Sequence, residues 1–180
     1  MDAYDYSRMT VLVVDDNCHM RQLVRTILYA FGCKEVFDAA DGSQALHMLQ
    51  AHQIDIMIVD WMMQPMDGIE LTLAVRKGDV VPNPYLPIIM LTAHTTRENI
   101  LKAREAGVTE YLAKPLTPKS MLARLQAIIG NPRPFVRTAH FFGPDRRRKD
   151  SSFYTGPERR EENTPGKDLF ELDDMEEDAA

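Results

Sequence analysis

The chain has 180 residues, 44% of them hydrophobic and 27% charged, with a net charge of -6, which is the length and balance of one soluble domain with some chain to spare. No apolar run approaches the roughly 18 residues a membrane span needs, Asp2 and Asp5 stand where a secretory leader would be basic, and the two cysteines, Cys18 and Cys33, are too few for a disulfide framework or a four-ligand zinc site. The expectation is a soluble, cytoplasmic protein with reduced thiols.

Thr10 to Val14 is a β-branched apolar run that predicts a buried strand. Met20, Leu23, Val24, Ile27, Leu28 and Phe31 then recur at helical spacing, and Gly32 stops that helix. Val36 to Ala40 is a second, weaker strand. Ala45, Leu46 and Leu49 mark a second helix with Asp41 near its start, and Ile54 to Val59 is a third strand closed by Asp60. A third helix is expected from Gly68 to Arg76, followed by a surface connection from Lys77 to Leu86. Pro87 to Leu91 reads as the fourth strand, Glu98 to Ala106 as the fourth helix, and Tyr111 to Ala113 as a short fifth strand. Thr117-Pro118 opens the last helix, with Leu122, Leu125, Ile128 and Ile129 on one face. Five strand-helix units in about 120 residues imply an α/β fold, a parallel sheet with helices on both faces. Ligands of such sheets bind beyond the carboxyl ends of the strands, where the strand order reverses.

Strand one ends in Asp15-Asp16, strand three in Asp60 and strand four in Thr92, while Lys114-Pro115 follows strand five. A single Asp after a strand is commonly a turn or helix cap, and Asp41 is read as only that. The combination at four strand ends is different. Three close carboxylates repel and raise one another's pKa unless a cation sits among them. Hard oxygen ligands favour Mg²⁺, which takes few protein carboxylates and keeps several waters. Thr92 and Lys114 add a hydroxyl and a positive charge, which suit the anionic oxygens of a phosphoryl group.

Four motifs carry a family likeness: Val-Val-Asp-Asp at 13–16, Asp-Trp-Met-Met-Gln-Pro-Met-Asp-Gly at 60–68, Leu-Thr-Ala at 91–93 and Tyr-Leu-Ala-Lys-Pro at 111–115. Over residues 8–130 the chain resembles the receiver domain of two-component response regulators, especially the single-domain chemotaxis type. The resemblance implies a flavodoxin-like, doubly wound (βα)5 fold and a phosphorelay function. It makes Asp60 the phosphoacceptor, Asp16 and Asp60 direct ligands of Mg²⁺, Asp15 a ligand through water, and the main-chain carbonyl of Met62 the completing ligand. Lys114 is then the partner of the phosphoryl oxygens, Thr92 their hydrogen-bond donor in the active state, Tyr111 the switch aromatic, and Lys114-Pro115 the family's cis peptide. The implied phosphodonor is a histidine kinase or histidine phosphotransfer protein, and the implied output is contact with another protein. Such a chain is a phosphoprotein that assists its own phosphorylation and dephosphorylation, not a turnover enzyme.

Two departures bear on this. The family places Pro four residues after the acceptor, whereas here Gln64 is there and Pro65 follows; spacing to Gly68 is kept, so an altered loop is expected. Met62 and His94 occupy the two positions that in this family tune how water reaches the acyl phosphate, and His94 reads as an exposed or packing residue. Enzyme alternatives fare worse. A haloacid-dehalogenase-type enzyme needs a second Asp where Met62 stands, and a nicotinamide enzyme needs a Gly-x-Gly turn where Asp15-Asp16 stands.

Charge divides the chain. Residues 1–130 carry a net of -3, residues 131–160 a net of +5, and residues 161–180 a net of -8. In residues 131–180, Leu, Ile, Val and Phe number 8 of 50, too few for a core, so the expectation is a receiver domain over 1–130 and a disordered tail over 131–180, Arg-rich to 160 and acidic beyond. The tail contains a repeat: Phe141-Phe142-Gly143-Pro144-Asp145-Arg146-Arg147 is echoed by Phe153-Tyr154-Thr155-Gly156-Pro157-Glu158-Arg159-Arg160. Gly-Pro favours a turn, Arg forks onto phosphates or guanine edges, and the aromatic pairs offer stacking platforms. The arrangement resembles the arginine-rich tails of certain chemotaxis-type receivers that bind cyclic di-GMP and act at the flagellar motor. Arg146, Arg147, Arg159 and Arg160 are therefore candidate ligands of a cyclic nucleotide or other polyanion, with a protein partner and a plain tether as the competing readings.

Overall fold

The computed structural model describes residues 4–93, 96–138 and 141–145. Five parallel strands, β1 (Thr10–Val14), β2 (Glu35–Ala39), β3 (Ile56–Asp60), β4 (Ile88–Thr92) and β5 (Glu110–Ala113), form one sheet in the order β2-β1-β3-β4-β5. This is the flavodoxin-like order, and it reverses between β1 and β3. Five helices, α1 (Cys18–Ala30), α2 (Gly42–Ala51), α3 (Gly68–Lys77), α4 (Arg97–Glu105) and α5 (Pro118–Gly130), connect or follow the strands.

The strands are apolar runs because both faces of the sheet are covered. Val11 and Val13 of β1 face α1 and α5 together with Ile56, Ile58, Ile89 and Leu91; Val24, Leu28, Met121 and Leu125 complete that layer. Leu12 and Val14 face the other way, with Met57, Val59, Ile88 and Met90, against Ala45, Leu49, Leu71, Val75 and Ala103. The edge strands β2 and β5 are only partly buried, which is why their apolar signal is shorter. Caps punctuate the helices as their side chains dictate: Asn17 accepts from the His19 N–H, Asp41 from the Gln44 N–H, and Asp67 forms a reciprocal capping box with Glu70. Gly78 takes the left-handed conformation that ends α3 (φ 76°).

The element boundaries shift by one or two residues from those expected. Ile54 is buried but precedes β3. A short 3-10 helix, Tyr6–Arg8, precedes β1, where Asp5 accepts from the Ser7 N–H at 2.9 Å and Tyr6 packs near Phe31.

The larger correction concerns where the tail begins: disorder is expected from residue 131, but the described residues up to 145 include two strands, and 146–180 lie outside the described residues. Strands β6 (Phe135–Arg137) and β7 (Phe142–Pro144) pair antiparallel in a hairpin that belongs to the same compact unit as the main sheet. The physical reason lies in where the apolar residues fall. Phe135, Val136, Phe141 and Phe142 are half of the eight counted over 50 residues, so an average over the whole segment hides a local apolar cluster. Gly143-Pro144 is not a turn but lies buried within β7, a short strand that tolerates Pro at its edge.

Candidate functional site

The buried run of β1 delivers Asp15 to the carboxyl end of the sheet, 1% exposed, and β3 delivers Asp60 beside it, 6% exposed. These two strands are direct neighbours, and they flank the point where the order reverses. Asp16, next along the chain, is exposed. One oxygen from each of Asp15, Asp16 and Asp60 lies within 4.8 Å of the others, a group able to hold a metal ion.

Lys114 reaches this cluster from the end of β5. Its Nζ stands 2.8 Å from Asp60 Oδ1 and 3.3 Å from Asp15 Oδ2. The other Asp15 oxygen accepts the Asn17 N–H at 2.8 Å. The Lys114 backbone is fixed too, its N–H donating to the Thr92 carbonyl at 2.8 Å, and the Lys114-Pro115 peptide is cis. Burial pushes the Asp60 carboxyl above the usual carboxylate range; the Lys114 hydrogen bond and charge oppose this, and the Asp15 charge adds to it. Burial pulls the Lys114 ammonium down, but the bonds and charges of Asp60 and Asp15 outweigh that and leave it raised. The raised Lys114 reflects two carboxylates acting on one ammonium, while the raised Asp60 reflects chiefly its burial.

Thr92 ends β4 and is buried, in register with Ala113 of β5, while Asp60 is in register with Leu91. Tyr111 is half-buried on β5, opposite Met90. Gly68 is required by the same geometry. A Cβ there would stand 2.3 Å from the Asp60 carbonyl oxygen, so only glycine lets α3 start against the end of β3, where the Gly68 N–H donates to the Trp61 carbonyl at 2.9 Å. In the intervening loop Trp61 packs partly against the core, Met63 is buried, and the Met62 side chain is 65% exposed. The altered loop carries a second cis peptide, Gln64-Pro65.

The structure thus brings together Asp15, Asp16, Asp60 and Lys114, with Thr92 at the neighbouring strand end. His94, Arg146, Arg147, Arg159 and Arg160 lie outside the described residues. Of the aromatics expected to serve as stacking platforms, Phe142 is instead packed inside its own domain, 5.1 Å from Tyr85 and 5.6 Å from Phe135 between ring centroids. Two supporting residues escaped sequence reasoning. Arg21 Nη1 donates to the Asp15 carbonyl at 2.7 Å and its Nε to Asp38 at 3.1 Å, so it braces the end of β1. Arg21 reads in the sequence as one more polar residue on a helix. Asn17 could have been found, since a cap residue stands directly before the first helical turn.

Residues 11–126 match the model of the response regulator receiver domain family. The chain is 36% identical over 128 residues to the chemotaxis protein CheY-3 of Vibrio cholerae, covering 71% of this chain and 97% of that one. It is 36% identical over 120 residues to the chemotaxis protein CheY of Pseudomonas aeruginosa, covering 67% and 95%. Among solved structures, Vibrio cholerae CheY4 shares 38% identity with a TM-score of 0.61, over 67% of this chain and 98% of that one. The receiver domain of the sensor histidine kinase PA1611 from Pseudomonas aeruginosa, with a magnesium ion coordinated in its active site cleft, shares 28% identity with a TM-score of 0.61, over 68% and 98%.

Proposed function

The chain belongs to the response regulator receiver family, as a chemotaxis-type receiver of two-component phosphorelay signalling, and from that premise we propose that Asp60 accepts the phosphoryl group. The observation that carries this reading is the Lys114 ammonium held at 2.8 Å from Asp60 and 3.3 Å from Asp15 at the switch point of the sheet. A carboxylate oxygen of Asp60 attacks phosphorus, the bond from phosphorus to the donor's imidazole nitrogen breaks, and the acyl phosphate forms. Lys114 then exchanges carboxylate partners for phosphoryl oxygens, supplying a fixed positive charge where negative charge accumulates. Thr92, at the next strand end, donates its hydroxyl to the same oxygens.

The donor set fits Mg²⁺: three carboxylates with oxygens within 4.8 Å, in a site where burial, with the Asp15 charge adding to it, already disfavours an ionised Asp60. Asp16, Asp60 and the Met62 carbonyl would hold the ion directly, and Asp15 through water. When bound, Mg²⁺ offsets the excess carboxylate charge and that of the phosphoryl oxygens. The donor is a histidine kinase or histidine phosphotransfer protein. The output is a protein contact at the face formed by α4, β5 and α5, where Tyr111 lies. The chain acts as a phosphoacceptor and not as a turnover enzyme, and it works in the cytoplasm. Incubation with a small-molecule phosphodonor and Mg²⁺ should add one phosphoryl group by intact mass. Asp60→Asn should abolish the gain, and a variant that still gains it at the wild-type rate would overturn the assignment.

A further inference from the structure

The hairpin lies beyond the matched receiver span, yet it grips the body at three points. Arg133, just before β6, donates through Nη2 to the Thr109 carbonyl and to Glu110 Oε1, and Arg124 of α5 holds the other Glu110 oxygen at 3.2 Å. Phe135 and Phe142 close an aromatic trio with Tyr85, with centroids 5.1 to 5.6 Å apart. Gly143 lies so close to the α4–β5 turn that a Cβ on it would stand 2.8 Å from the Gly107 Cα. Two of these grips land on one segment, Gly107 to Glu110, the turn that leads from α4 into β5. The third is tied to the same turn by Arg76, whose guanidinium lies 5.1 Å from the Phe135 centroid while its Nε donates to the Gly107 carbonyl at 3.0 Å.

This segment is one end of a short, stiff strand whose other end is the acidic site. Thr109 is knitted to β4 at both its N–H and its hydroxyl, each 3.0 Å from Ile88. Five residues further on is Lys114, about 17 Å away at strand rise. Tyr111 immediately follows the gripped Glu110. Lys114 follows β5 directly, so its exchange of partners on phosphorylation acts at one end of this strand while the hairpin holds the other. The docked hairpin also covers a charge that is only partly satisfied. Arg76 is 4% exposed; its Nε and Nη1 donate to the Gly107 and Pro84 carbonyls, while its Nη2 finds no hydrogen-bond partner among the described residues. One unpaired donor on a buried cation offsets part of what docking gains.

We propose that the paired strands β6 and β7 form an autoinhibitory clamp: docked on the α4–β5 turn, they hold β5 in the arrangement seen here and oppose phosphorylation, and their release makes the site more receptive. This rests on the reading of Asp60 as acceptor. By linkage, a phosphorylated site and a docked hairpin disfavour each other by the same factor.

The test uses the full chain and two variants. Gly143→Val forces side-chain atoms against the Gly107 backbone, which cannot yield, and against the Phe141 ring, which can; Arg133→Ala removes the tether to Thr109 and Glu110 together with a long bond to the Asp145 carbonyl. Hydrogen exchange of amides 107–111 reads undocking. Beryllofluoride with Mg²⁺, a phosphoryl stand-in, is titrated by the fluorescence of Trp61, the single tryptophan. Both variants should exchange faster and bind beryllofluoride at least about fivefold more tightly, within the usual range of coupling between sites. If Gly143→Val fails to fold, Arg133→Ala decides. Exchange unchanged in the folded variants, or faster exchange with an affinity gain short of about fivefold, would overturn the clamp. A wild-type chain that binds no beryllofluoride overturns the acceptor reading itself, and the clamp with it.

Discussion

Of the three carboxylates at the site, Lys114 holds two, Asp15 and Asp60, and leaves Asp16 to solvent. Asp15 is buried and already committed to the Lys114 Nζ and the Asn17 N–H, whereas Asp16 is exposed. A divalent cation therefore finds Asp16 available and Asp15 occupied. Asp16→Ala should weaken Mg²⁺ binding by tenfold or more and Asp15→Ala by less, read from Trp61 fluorescence during magnesium titration. Equal losses would refute the ordering. Gly68 shows how strict the same corner is, because any side chain there would strike the main chain that carries Asp60.

Among elements, Arg76 does more joining than its place in the last turn of α3 suggests. Its Nε donates to the Gly107 carbonyl at 3.0 Å and its Nη1 to the Pro84 carbonyl at 2.7 Å, tying α3 to the approaches of β4 and β5. Burial pushes its pKa down to about 9, which still leaves it charged at neutral pH. Lysine keeps the charge but has no planar fork to reach two carbonyls while lying over a ring. Arg76→Lys should lower stability by about 1.5–3 kcal/mol, the range for charged hydrogen bonds, measured by urea denaturation. None of this is legible in the sequence, where Arg76 stands beside Lys77 as an ordinary basic helix end. The central strands were legible because both their faces are buried, and Asp15, Asp60 and Lys114 because each directly follows one of the predicted strands. Arg133 and Glu110, 23 residues apart, meet only through the return of the chain after α5, and no local pattern announces such a pairing.

The whole molecule can be read through its two thiols. Cys18 opens α1 and is exposed, while Cys33 is buried under the layer of α1 and α5. Burial also pushes the Cys33 thiol up, so it is both shielded and poorly nucleophilic. Native protein should take one equivalent of an alkylating reagent, at Cys18, and a second only on unfolding, followed by mass spectrometry. Rapid native labelling of Cys33 would mean that the α1 layer opens readily. Among the described residues no helix is long and apolar enough to cross a membrane.

The trio of Tyr85, Phe135 and Phe142 has a practical consequence for anyone trimming the protein. A cut after Gly130, the natural choice from the family's usual length, removes two of the three rings and leaves Tyr85, already 53% exposed, beside an uncovered Arg76. A half-covered aromatic cluster becomes an adhesive patch, and patches of that kind drive self-association. A shortened chain that precipitates would then reveal a missing lid and not an unstable receiver, and ending it after the hairpin should restore its solubility.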